Sequence, residues 1–486
     1  MRIVVVLLVV LIASCTKPNP GVCCVTAEQC SSLGVSDLRP CDVGQACKDD
    51  RCVAAECVTS ETCTSPDAPI CQYGLCVGTC SSNDDCAGVA DRPFCSPAGA
   101  CVGCVDATQC AAPIAVCDPA DHVCRGCEED SECASGVCVD VEGVCADPTR
   151  VVYVKTNGVD GECTATAPCG TFSYALTKVR ATRDVVHIIG GSYDFGAQPL
   201  NIAYRMIIDG AETTIAPGGS GSTFIVGMSG DLTLERLTMS LPNMGTLSVT
   251  NTGSLRFHRA HLVGLANVPI VVSAANFAAT RTDLEGTVGG GGQISCDAGG
   301  LVALSDDSLR RIEVAATNCT LDIKRSTFNG DGTALSVSGG VATVTNNLFV
   351  ESYELADAVT LIVGTGSKFW FNTVVNTSAV TSSGVALYCG LGLDITSDIF
   401  AYNSTNPING AACPVRSSLF DTHAGADAGT NAVATPSAIF VNPATDFHLA
   451  AGSPARSAGE AGLVTTDLEG HPRPATGPDI GAYEAP

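Results

Sequence analysis

The sequence predicts an all-β fold in which a small region of disulfide-rich repeats precedes a parallel β-solenoid. Two observations lead to this prediction: a cysteine-dense segment follows the N-terminus, and a short apolar and polar pattern then recurs about every 22 residues. The composition agrees, because 51 Gly against 14 Phe, 9 Tyr and 1 Trp suits many short turns and aliphatic packing. A chain of 486 residues also exceeds what one hydrophobic core normally organises, so we expect at least two units.

The N-terminal residues have the features of a secretory signal. Arg2 precedes the apolar run IVVVLLVVLIA, which is too short to cross a bilayer. Ile12-Ala13-Ser14-Cys15 then resembles the bacterial lipobox, which implies a signal peptide over residues 1–14, acylation of Cys15 and a tether over residues 15–22. An ordinary cleaved signal with an incidental cysteine is the alternative. We therefore expect an exported protein that acyl chains anchor in the outer membrane or at the cell surface of a Gram-negative bacterium.

Charge and cysteine number restrict the partners and the compartment. A formal net charge of -25 leaves no basic footprint for a phosphate backbone, so nucleic acid is excluded as a partner. The number of cysteines, 29, is odd, and removal of a lipidated Cys15 leaves 28 that can all pair in an oxidising compartment. No later segment is long and apolar enough to cross a membrane, so we expect everything after Cys15 on one side.

Residues 23–149 form the predicted disulfide-rich region. Six cysteines come first, and four blocks of four cysteines follow, starting at Cys57, Cys80, Cys104 and Cys127. Tyr73 and Phe94 are the only aromatic residues, so disulfides must replace a packed core, each contributing roughly 2 to 4 kcal/mol. With 21 acidic and 5 basic residues, the region should be extended and self-repelling.

Two ligand-binding interpretations compete with plain disulfide bonding in this region. Cys101 with Cys104 and Cys124 with Cys127 have the spacing of zinc ligands, but a secreted protein favours disulfides. Acidic clusters such as SNDDC and EEDSEC offer oxygens for Ca²⁺, yet they lack the spacing of an EF-hand loop and are better explained as a solvated face. The block pattern resembles the N-terminal cysteine-rich domain of the Dickkopf family, which implies interaction with another protein.

The remaining chain repeats one frame: apolar, any, apolar, any, polar, any, any, apolar. LDIKRSTF at residues 321–328 is an example, and no partner strand returns within hairpin distance. A recurrence near 22 residues without helical periodicity is typical of one turn of a solenoid. Alternation should place the central apolar residue inward, where like residues of successive coils stack, while Asn329, Gly330, Asn346 and Asn347 suit the corners. The anchors of this predicted column are Leu234, Phe257, Ala279, Leu304, Ile323, Val344, Phe371, Ile395 and Val415.

Residues 150–486 also resemble a known family. VYVKTNGVDGECTATAPCGTFSYALTKV, VVHIIGGSYDF, FNTVVN and SDIFAYN are similar to strings in the right-handed, single-stranded parallel β-helix proteins of bacteria. This resemblance implies an opening strand, a short amphipathic capping helix and a first coil, with Cys163 and Cys169 able to staple the opening loop. DFHLAAGSPARSAGEAG and TDLEGHPRPATGPDIGAYE resemble the C-terminus of exported β-helix proteins grouped as choice-of-anchor Q. We therefore expect the β-helix over residues 150–440 and a capping segment over residues 441–486.

The capping segment has a physical role in this prediction. The uncovered end of a solenoid exposes an unpaired strand edge, which invites self-association. We expect the Gly- and Pro-rich tail to cover that edge, with Arg473 paired to Asp467 or Asp479. Two further disulfides of open pairing are expected among Cys296, Cys319, Cys389 and Cys413.

The candidate ligand-binding residues lie two positions after the anchors. Stacking of the coils places Arg236, Arg259, Arg281 and Arg325 in one column. Arginine forks suit carboxylate and sulfate, so this column is a candidate groove for an anionic polysaccharide. The alternative, which we favour, is that Asp306 and neighbours such as Glu235 and Asp283 neutralise the arginines in ordinary surface pairs.

A catalytic interpretation has less support. A polysaccharide lyase needs cations or a metal beside a base, and LSDDSLRRIE offers Asp306 and Asp307 as metal ligands and Arg310 or Arg311 as the base. The motif set of β-helix pectin hydrolases is missing, as are the G-x-S-x-G and H-E-x-x-H motifs. We expect no cofactor and no metal, and Ca²⁺ is the alternative. The sequence favours a lipid-anchored, non-catalytic binding or adhesion module for a polysaccharide or a surface protein; a polysaccharide lyase or glycoside hydrolase of the pectate-lyase-like class is the alternative.

Overall fold

The structure is a computed structural model of the chain, and it divides into two compact units, Met1–Cys145 and Ala146–Pro486. Within the described part of the chain, no helix has the length and apolar character that a membrane crossing requires. The structure describes residues 23–24, 39–41, 44–48, 51–56, 70–72, 75–77, 80, 83–86, 92–111, 116–194, 200–216, 222–241, 246–288, 291–330, 332–351, 357–377, 384–390, 392–402, 404–410, 413–422 and 431–485. The predicted signal peptide, Cys15 and the tether lie outside these described residues.

The first unit consists of short strand pairs and single turns of 3-10 helix. The antiparallel pairs are Gln45–Lys48 with Arg51–Ala54, Ile70–Gln72 with Leu75–Val77, Phe94–Cys95 with Cys101–Val102, Val116–Cys117 with Cys124–Arg125, and Cys138–Val139 with Val144–Cys145. Cys23–Cys24 pairs with Arg39–Pro40 in parallel. The 3-10 turns are Asn83–Cys86, Ala107–Gln109 and Asp130–Glu132. Clusters made almost entirely of cysteine sulfur form the small cores.

Each fully described block closes by one disulfide pattern, first cysteine to third and second to fourth. The zinc-spaced cysteines Cys101 and Cys104 therefore belong to different disulfides, and the disulfide interpretation is confirmed. The bonds are Cys80–Cys95, Cys86–Cys101, Cys104–Cys117, Cys110–Cys124, Cys127–Cys138 and Cys133–Cys145, and in the earlier segment Cys23–Cys47 and Cys41–Cys52.

Acidic residues of these blocks serve as internal hydrogen-bond acceptors. Glu132 accepts the backbone N–H groups of Glu128 and Glu129 and also pairs with Arg125. Asp130 accepts the backbone N–H of Cys138 at 2.8 Å. These carboxylates thus cap a 3-10 turn and fix the loop beside it.

The second unit begins as the family resemblance implies. The 3-10 turn Pro148–Arg150 leads into strand Val151–Lys155, and the α-helix Phe172–Leu176 follows. Thr171 caps this helix by accepting the Tyr174 N–H, and the buried face of the helix joins the main hydrophobic core. The Cys163–Cys169 disulfide is present in the intervening loop.

From there the chain winds through three parallel sheets, which we name A, B and C in the order in which each coil visits them. Sheet A contains Val151–Lys155, Val185–Ile189, Ser254–His258, Asn276–Thr280, Leu301–Ser305, Thr320–Lys324, Val341–Thr345, Ser367–Trp370, Leu393–Thr396 and Val415–Arg416. Sheet B contains Ser192–Asp194, His261–Leu265, Asp283–Gly286, Ser308–Arg310, Thr327–Gly330, Leu348–Glu351, Thr373–Asn376, Ile399–Ala401, Leu419–Asp421 and Ala432–Ala434. Strands Arg205–Ala216 and Asp231–Ser240 pass through both sheets. Sheet C contains Leu200–Ile202, Ser222–Val226, Thr246–Thr250, Asn267–Ser273, Gly292–Asp297, Ile312–Thr317, Leu335–Ser338, Val359–Ile362, Leu387–Cys389 and Ile408–Asn409.

The parallel β-solenoid is therefore confirmed, and so is its inward column. Predicted anchors face one another directly in sheet A, as Leu304 does with Ile323, and both are fully buried. One anchor was wrong: Val344 pairs with Phe369 rather than Phe371. Phe371 lies two residues later, at the corner between sheets A and B, where its φ is 58°. Either phenylalanine of Phe369-Trp370-Phe371 could occupy the inward apolar position of the repeat. Asn372, the residue after this run, places Phe369 there.

Stacked phenylalanine rings fill the core between sheets A and B. Phe349 and Phe400 occupy sheet B two coils apart, and the coil between them supplies only Val374. Phe369 of sheet A fills the gap, with its ring centroid 6.1 Å from that of Phe349 and 6.3 Å from that of Phe400. The core thus keeps its density by drawing rings from two sheets.

Two residues connect sheet A to sheet B in every coil from His258 onward, and we call this connection the A–B corner. The first corner residue has a left-handed backbone in each coil, with φ between 46° and 62°. From Thr282 onward, the second corner residue builds a polar ladder, in which each backbone N–H donates to the side-chain oxygen of the next coil. The ladder runs through Thr282, Asp307, Ser326, Asn347, Asn372, Asp398, Ser418 and Asn431.

The ladder confirms the corner placement of Asn346 and Asn347. It also fixes the register, because Asn372 receives the Asn347 N–H at 3.0 Å. Asn329 and Gly330, in contrast, end a strand of sheet B instead of forming a turn. The two disulfides whose pairing the sequence left open are Cys296–Cys319 and Cys389–Cys413. Each joins a strand of sheet C to the connection that leads from sheet C to sheet A in the next coil.

The C-terminal segment packs along the outer side of sheet B in the last coils. Helix Pro436–Ile439 precedes an antiparallel pair, Phe440–Asn442 with Asp446–Leu449. Together with Ala455 and Ile480, these elements cover the outward side chains of sheet B in a second hydrophobic core. Its members from sheet B are Leu348, Val375, Ile399, Ala401 and Leu419.

Arg473 ties this segment to the A–B corner. Its side chain is buried, Nη2 donates to Asn346 Oδ1 at 2.9 Å, and the guanidinium lies 4.4 Å from the ring centroid of Phe371. Its ion-pair partner is Glu484, 3.0 Å away, rather than the predicted Asp467 or Asp479. The chain reversal after residue 479 brings Glu484 back to the guanidinium, and spacing along the sequence does not reveal this.

Candidate functional site

The predicted arginine column exists in space, at the left-handed position of the A–B corner. Arg325 binds Asp306 through two hydrogen bonds, Nε to Oδ1 at 2.7 Å and Nη2 to Oδ2 at 2.8 Å. Arg236 binds Asp209 in the same way, at 2.9 and 2.8 Å. These pairs join neighbouring coils and occupy the donors that an anionic glycan would need. The φ values of Arg236, Arg259, Arg281 and Arg325 are 51°, 48°, 52° and 46°.

Asp306 and Asp307 lie at this same corner but point in different directions. Burial raises the pKa of Asp306, but the hydrogen bond and the charge of Arg325 outweigh it, and the net pKa is lowered. Asp307 points into the ladder, where its two oxygens accept the backbone N–H groups of Thr282 and Ser305, both at 2.8 Å. Burial outweighs these two hydrogen bonds and raises the pKa of Asp307 to about 8. Both of its oxygens are thus engaged inside the fold.

Arg310 and Arg311 lie at the opposite end of the same strand from the two aspartates. Arg311 donates from Nη2 to Glu285 Oε1 at 2.7 Å and from Nε to the Gly286 carbonyl at 3.0 Å. Arg310 is exposed, and its Nη1 lies 3.6 Å from the same Glu285 oxygen. A guanidinium beside a carboxylate stays charged, which suits hydrogen-bond donation rather than proton abstraction. The structure therefore separates the proposed metal ligands from the proposed base.

A cleft lies where sheet B passes to sheet C, and we call it the B–C cleft. Arg311 alone connects strands Ser308–Arg310 and Ile312–Thr317, whereas five residues make this connection in the coil before and four in the coil after. The short connection leaves a notch of about 590 Å³ between longer neighbours. The notch is lined by Asn267, Gly291, Gly292, Gln293, Arg311, Ile312, Glu313, Phe328, Asn329, Gly330, Gly332, Thr333, Ala334 and Glu351.

Polar side chains in the B–C cleft are held by their neighbours. Gln293 Nε2 donates to Glu313 Oε2 at 2.9 Å, across adjacent strands of sheet C. Arg311 is fixed by Glu285, as described above. The buried Phe328 and Glu351 also reach the wall of the cleft. The arrangement offers amide, carboxylate and guanidinium groups beside a small apolar surface, which is the composition of a site for a polar ligand.

A second cleft, which we call the corner cleft, has a volume of about 420 Å³. It lies between the A–B corner and the C-terminal segment. Two arginines of the column, Arg281 and Arg325, line this cleft. Arg325 is bound to Asp306 through two hydrogen bonds, whereas Arg281 is not held in this way by a carboxylate of the described residues. The lining residues are Arg281, Asp283, Asp306, Asp307, Ser308, Arg325, Thr327, Leu468, Glu469 and Tyr483.

Sequence patterns did not identify the B–C cleft. Its residues come from connections whose lengths differ from coil to coil, so they carry no repeating signal. The single usable sign was a coil of only 19 residues between the anchors Leu304 and Ile323, which predicts a missing loop at that place.

Comparisons with known proteins add likeness of fold alone. No protein-family profile and no curated protein matches the chain. Among solved structures, pectate lyase Pel9A is similar over 70% of this chain and 97% of its own, with 14% identity and a TM-score of 0.42. The structure of XylC in complex with xylose is similar over 62% of this chain and 65% of its own, with 9% identity and a TM-score of 0.33.

Proposed function

We propose that this protein is an exported, lipid-anchored module that binds a neutral polysaccharide in the B–C cleft without cleaving it. The observation that carries the proposal is the cleft itself, a notch of about 590 Å³ in an otherwise regular solenoid. A rigid solenoid keeps such a notch open and presents it on an elongated surface, which suits a chain-like ligand.

The polar groups of the cleft support a hydroxyl-rich ligand. Arg311 supplies N–H donors, while Glu313 and Gln293 supply acceptors that lie in one row across sheet C. Because these side chains already hydrogen-bond one another or Glu285, they lose little conformational freedom when a sugar binds.

Charge argues for a neutral ligand. Glu313 and Glu351 face the cleft with Arg311, and the whole chain has a formal net charge of -25. An anionic polysaccharide would meet repulsion both locally and at long range. The arginine column, whose Arg236 and Arg325 are bound to carboxylates, offers little compensation.

The proposed location has separate support. Disulfides occur throughout the described chain, which indicates an extracytoplasmic protein because such bonds persist in oxidising compartments. The lipobox-like sequence before Cys15 is the basis for the proposed acyl anchor.

Affinity electrophoresis of the full chain through gels containing single polysaccharides tests this function. We expect neutral polysaccharides such as β-glucan, xylan or galactomannan to retard the chain, and polygalacturonate and alginate to leave it unaffected. Replacing Gln293 and Glu313 with Ala should weaken retardation about tenfold or more, because two ligand hydrogen bonds worth roughly 1 kcal/mol each are lost. Detergent-phase partitioning of the same preparation checks the anchor.

The matched control changes the A–B corner instead, as the double variant Arg259→Ala/Arg281→Ala. Its retardation should equal that of the unmodified chain. Loss of binding in the corner variant alone, or retardation by acidic polysaccharides alone, would move the ligand to the arginine column. New reducing ends or unsaturated uronates in the gel would replace the binding function with the hydrolase or lyase alternative.

A further inference from the structure

Two histidines and a glutamate converge on the C-terminal segment, away from the B–C cleft. His448 lies in strand Asp446–Leu449, while Glu469 and His471 lie in the turn closed by the bridge between Thr466 and Pro472. His448 Nε2 is 3.1 Å from Glu469 Oε1. His471 Nδ1 is 3.6 Å from Glu469 Oε2 and 3.4 Å from Asp467 Oδ2. The two imidazoles thus approach one carboxylate from its two oxygens.

These separations match the spacing of donor atoms around a transition-metal ion. Zinc binds histidine nitrogen and carboxylate oxygen at about 2.0 to 2.2 Å, which places the donors of a tetrahedral ion about 3.4 Å apart. The distances from Glu469 to His448 and His471 bracket this value. Two histidines and one glutamate are also an established donor set for zinc.

Neighbouring carboxylates hold these donors in position. Asp446 Oδ1 lies 2.6 Å from His448 Nδ1 and also accepts the His448 backbone N–H, so Nε2 is left to face Glu469. A carboxylate behind the second ring nitrogen is the usual support of a metal-bound histidine. The buried Asp467 accepts the backbone N–H groups of Glu469 and His471 at 3.0 and 2.7 Å, which shapes the turn that carries both.

We propose that His448, Glu469 and His471 bind one transition-metal ion, and that Zn²⁺ fits them best. The alternative is simple ion pairing, in which His448 pairs with Asp446 and His471 with Asp467. A metal ion would instead use both imidazoles as neutral donors, so stoichiometric zinc binding separates the two explanations. Calcium and magnesium select oxygen ligands, so the Ca²⁺ alternative considered for the acidic clusters does not extend to this cluster.

The site opens toward the corner cleft. Glu469 lines that cleft, and so does Tyr483, whose ring centroid lies 4.3 Å from that of His448. Three protein donors leave a tetrahedral ion one position for water or for an oxygen of a ligand. A bound ion would thus place an electrophilic group at the edge of a cleft that Arg281 and Thr327 also line.

Calorimetric titration of the untagged full chain with ZnCl₂ tests the proposal. The chain is kept oxidised, because thiolates released from disulfides would bind zinc themselves. We expect one Zn²⁺ per chain, and Ca²⁺ should not compete with Zn²⁺ for this site. His448→Ala and Glu469→Gln should each weaken zinc binding at least tenfold, and Asp446→Asn should weaken it about 10- to 100-fold through the lost support of the imidazole.

The control is His261→Ala, which removes an exposed histidine of sheet B and should leave zinc binding unchanged. Thermal unfolding of each variant checks that the chain still folds. Cobalt absorption gives a second readout, with d–d bands of a nitrogen and oxygen site and no sulfur charge-transfer band. The proposal is overturned if the chain takes up no stoichiometric zinc, or if zinc binding survives in both His448→Ala and Glu469→Gln.

Discussion

Asp398 is a carboxyl group inside the ladder of the A–B corner, where most other members are Thr, Ser or Asn. It is fully buried, and its Oδ1 accepts the backbone N–H and Nδ2 of Asn372 at 2.6 and 3.1 Å. Burial outweighs these hydrogen bonds and raises the pKa of Asp398 well above its ordinary value. The same cause raises the pKa of Asp307 in an earlier coil to about 8.

A pKa raised by folding makes stability depend on pH with a definite sign. The stabilising effect of such a group is complete below its unfolded pKa, about 3.9 for Asp, and is lost as the pH rises through the folded pKa. For Asp307 this window runs from about 4 to about 8. The solenoid should therefore be more stable at pH 5 than at pH 8 as far as these two groups are concerned.

Asp398→Asn should stabilise the solenoid increasingly as the pH rises. The neutral amide keeps an oxygen for the Asn372 N–H, and its Nδ2 can donate to a sheet A carbonyl as Asn347 does to Ile323. Each pH unit in which only the unfolded wild-type Asp is ionised contributes about 1.4 kcal/mol to the difference. Urea unfolding of variant and wild type at pH 5, 7 and 9 measures it.

Asp322→Asn is the matched control, since Asp322 is half-exposed on sheet A and 3.9 Å from Lys324. Its effect on the free energy of unfolding should vary little over the same pH range. Equal pH dependence in the two variants would contradict a buried, protonated Asp398.

Residue patterns predicted the inward column because alternation marks it directly. They did not predict that Asp307 points inward, since an Asp after a strand is usually solvated and only its neighbours in space, Thr282 and Ser326, reveal the ladder. The anchor Phe371 failed for a related reason. If Asn372 is aligned with Asn347, Phe369 becomes the anchor of its coil. That alignment requires knowledge of the ladder, which the sequence alone does not show.

At the scale of elements, the C-terminal segment depends on one buried cation. Besides Asn346 and Glu484, Arg473 donates to the carbonyl oxygens of Asp479 and Gly481, at 3.0 and 2.7 Å. These bonds hold the turn after residue 479 against the A–B corner. The apolar outer side of sheet B, with Val375 and Ile399, stays covered as a result.

Arg473→Ala should therefore detach the segment. The change leaves Glu484 without its cation and removes the contact with Phe371, which should cost about 3 to 5 kcal/mol. Limited proteolysis should cut between residues 450 and 485 well before the rest of the solenoid, and a dye for apolar surfaces should bind to the exposed side of sheet B.

Arg310→Ala provides the comparison, because Arg310 is exposed and its closest carboxylate oxygen is 3.6 Å away. Its effect should stay within about 1 kcal/mol. Identical proteolysis of the two variants would show that Arg473 does not hold the segment.

Strands were the most predictable elements, because period-two alternation follows from their geometry. The site of contact of the C-terminal segment was not predictable. Leu348, Val375 and Ile399 are apolar at outward positions, yet a sequence does not show which distant segment covers them.

At the scale of the whole molecule, the two units are stabilised differently. The first has small cores made mainly of cysteine sulfur, whereas the second has a main hydrophobic core that extends from Val152 to Phe420. Removal of a disulfide takes away roughly 2 to 4 kcal/mol, and little else in the first unit can replace it.

Mild reduction should therefore unfold the first unit and spare the second. After treatment with dithiothreitol, we expect trypsin to degrade residues 23–145 and to leave a stable fragment that begins near residue 150. The disulfides Cys296–Cys319 and Cys389–Cys413, in which Cys413 is the one partly buried cysteine, should resist the same treatment. Simultaneous loss of both units would contradict this difference, and the oxidised chain serves as the reference.

The fold was predictable as a whole because repetition amplifies a weak local signal over many coils. The candidate clefts were not, since each arises from a local departure from the repeat. Arg311 attracted notice for its charge and was assigned a proton-transfer role, whereas its position in a one-residue connection is what makes the B–C cleft.

The constant A–B corner and the variable passage from sheet B to sheet C have a consequence for how such a chain can change. Ten residues separate Asn376 from Leu387, while one separates Arg310 from Ile312, and the strands on either side keep their pairing. Segments can therefore be lengthened, shortened or exchanged on that edge without shifting the strands above and below. New recognition surfaces can evolve, or be grafted, at this edge.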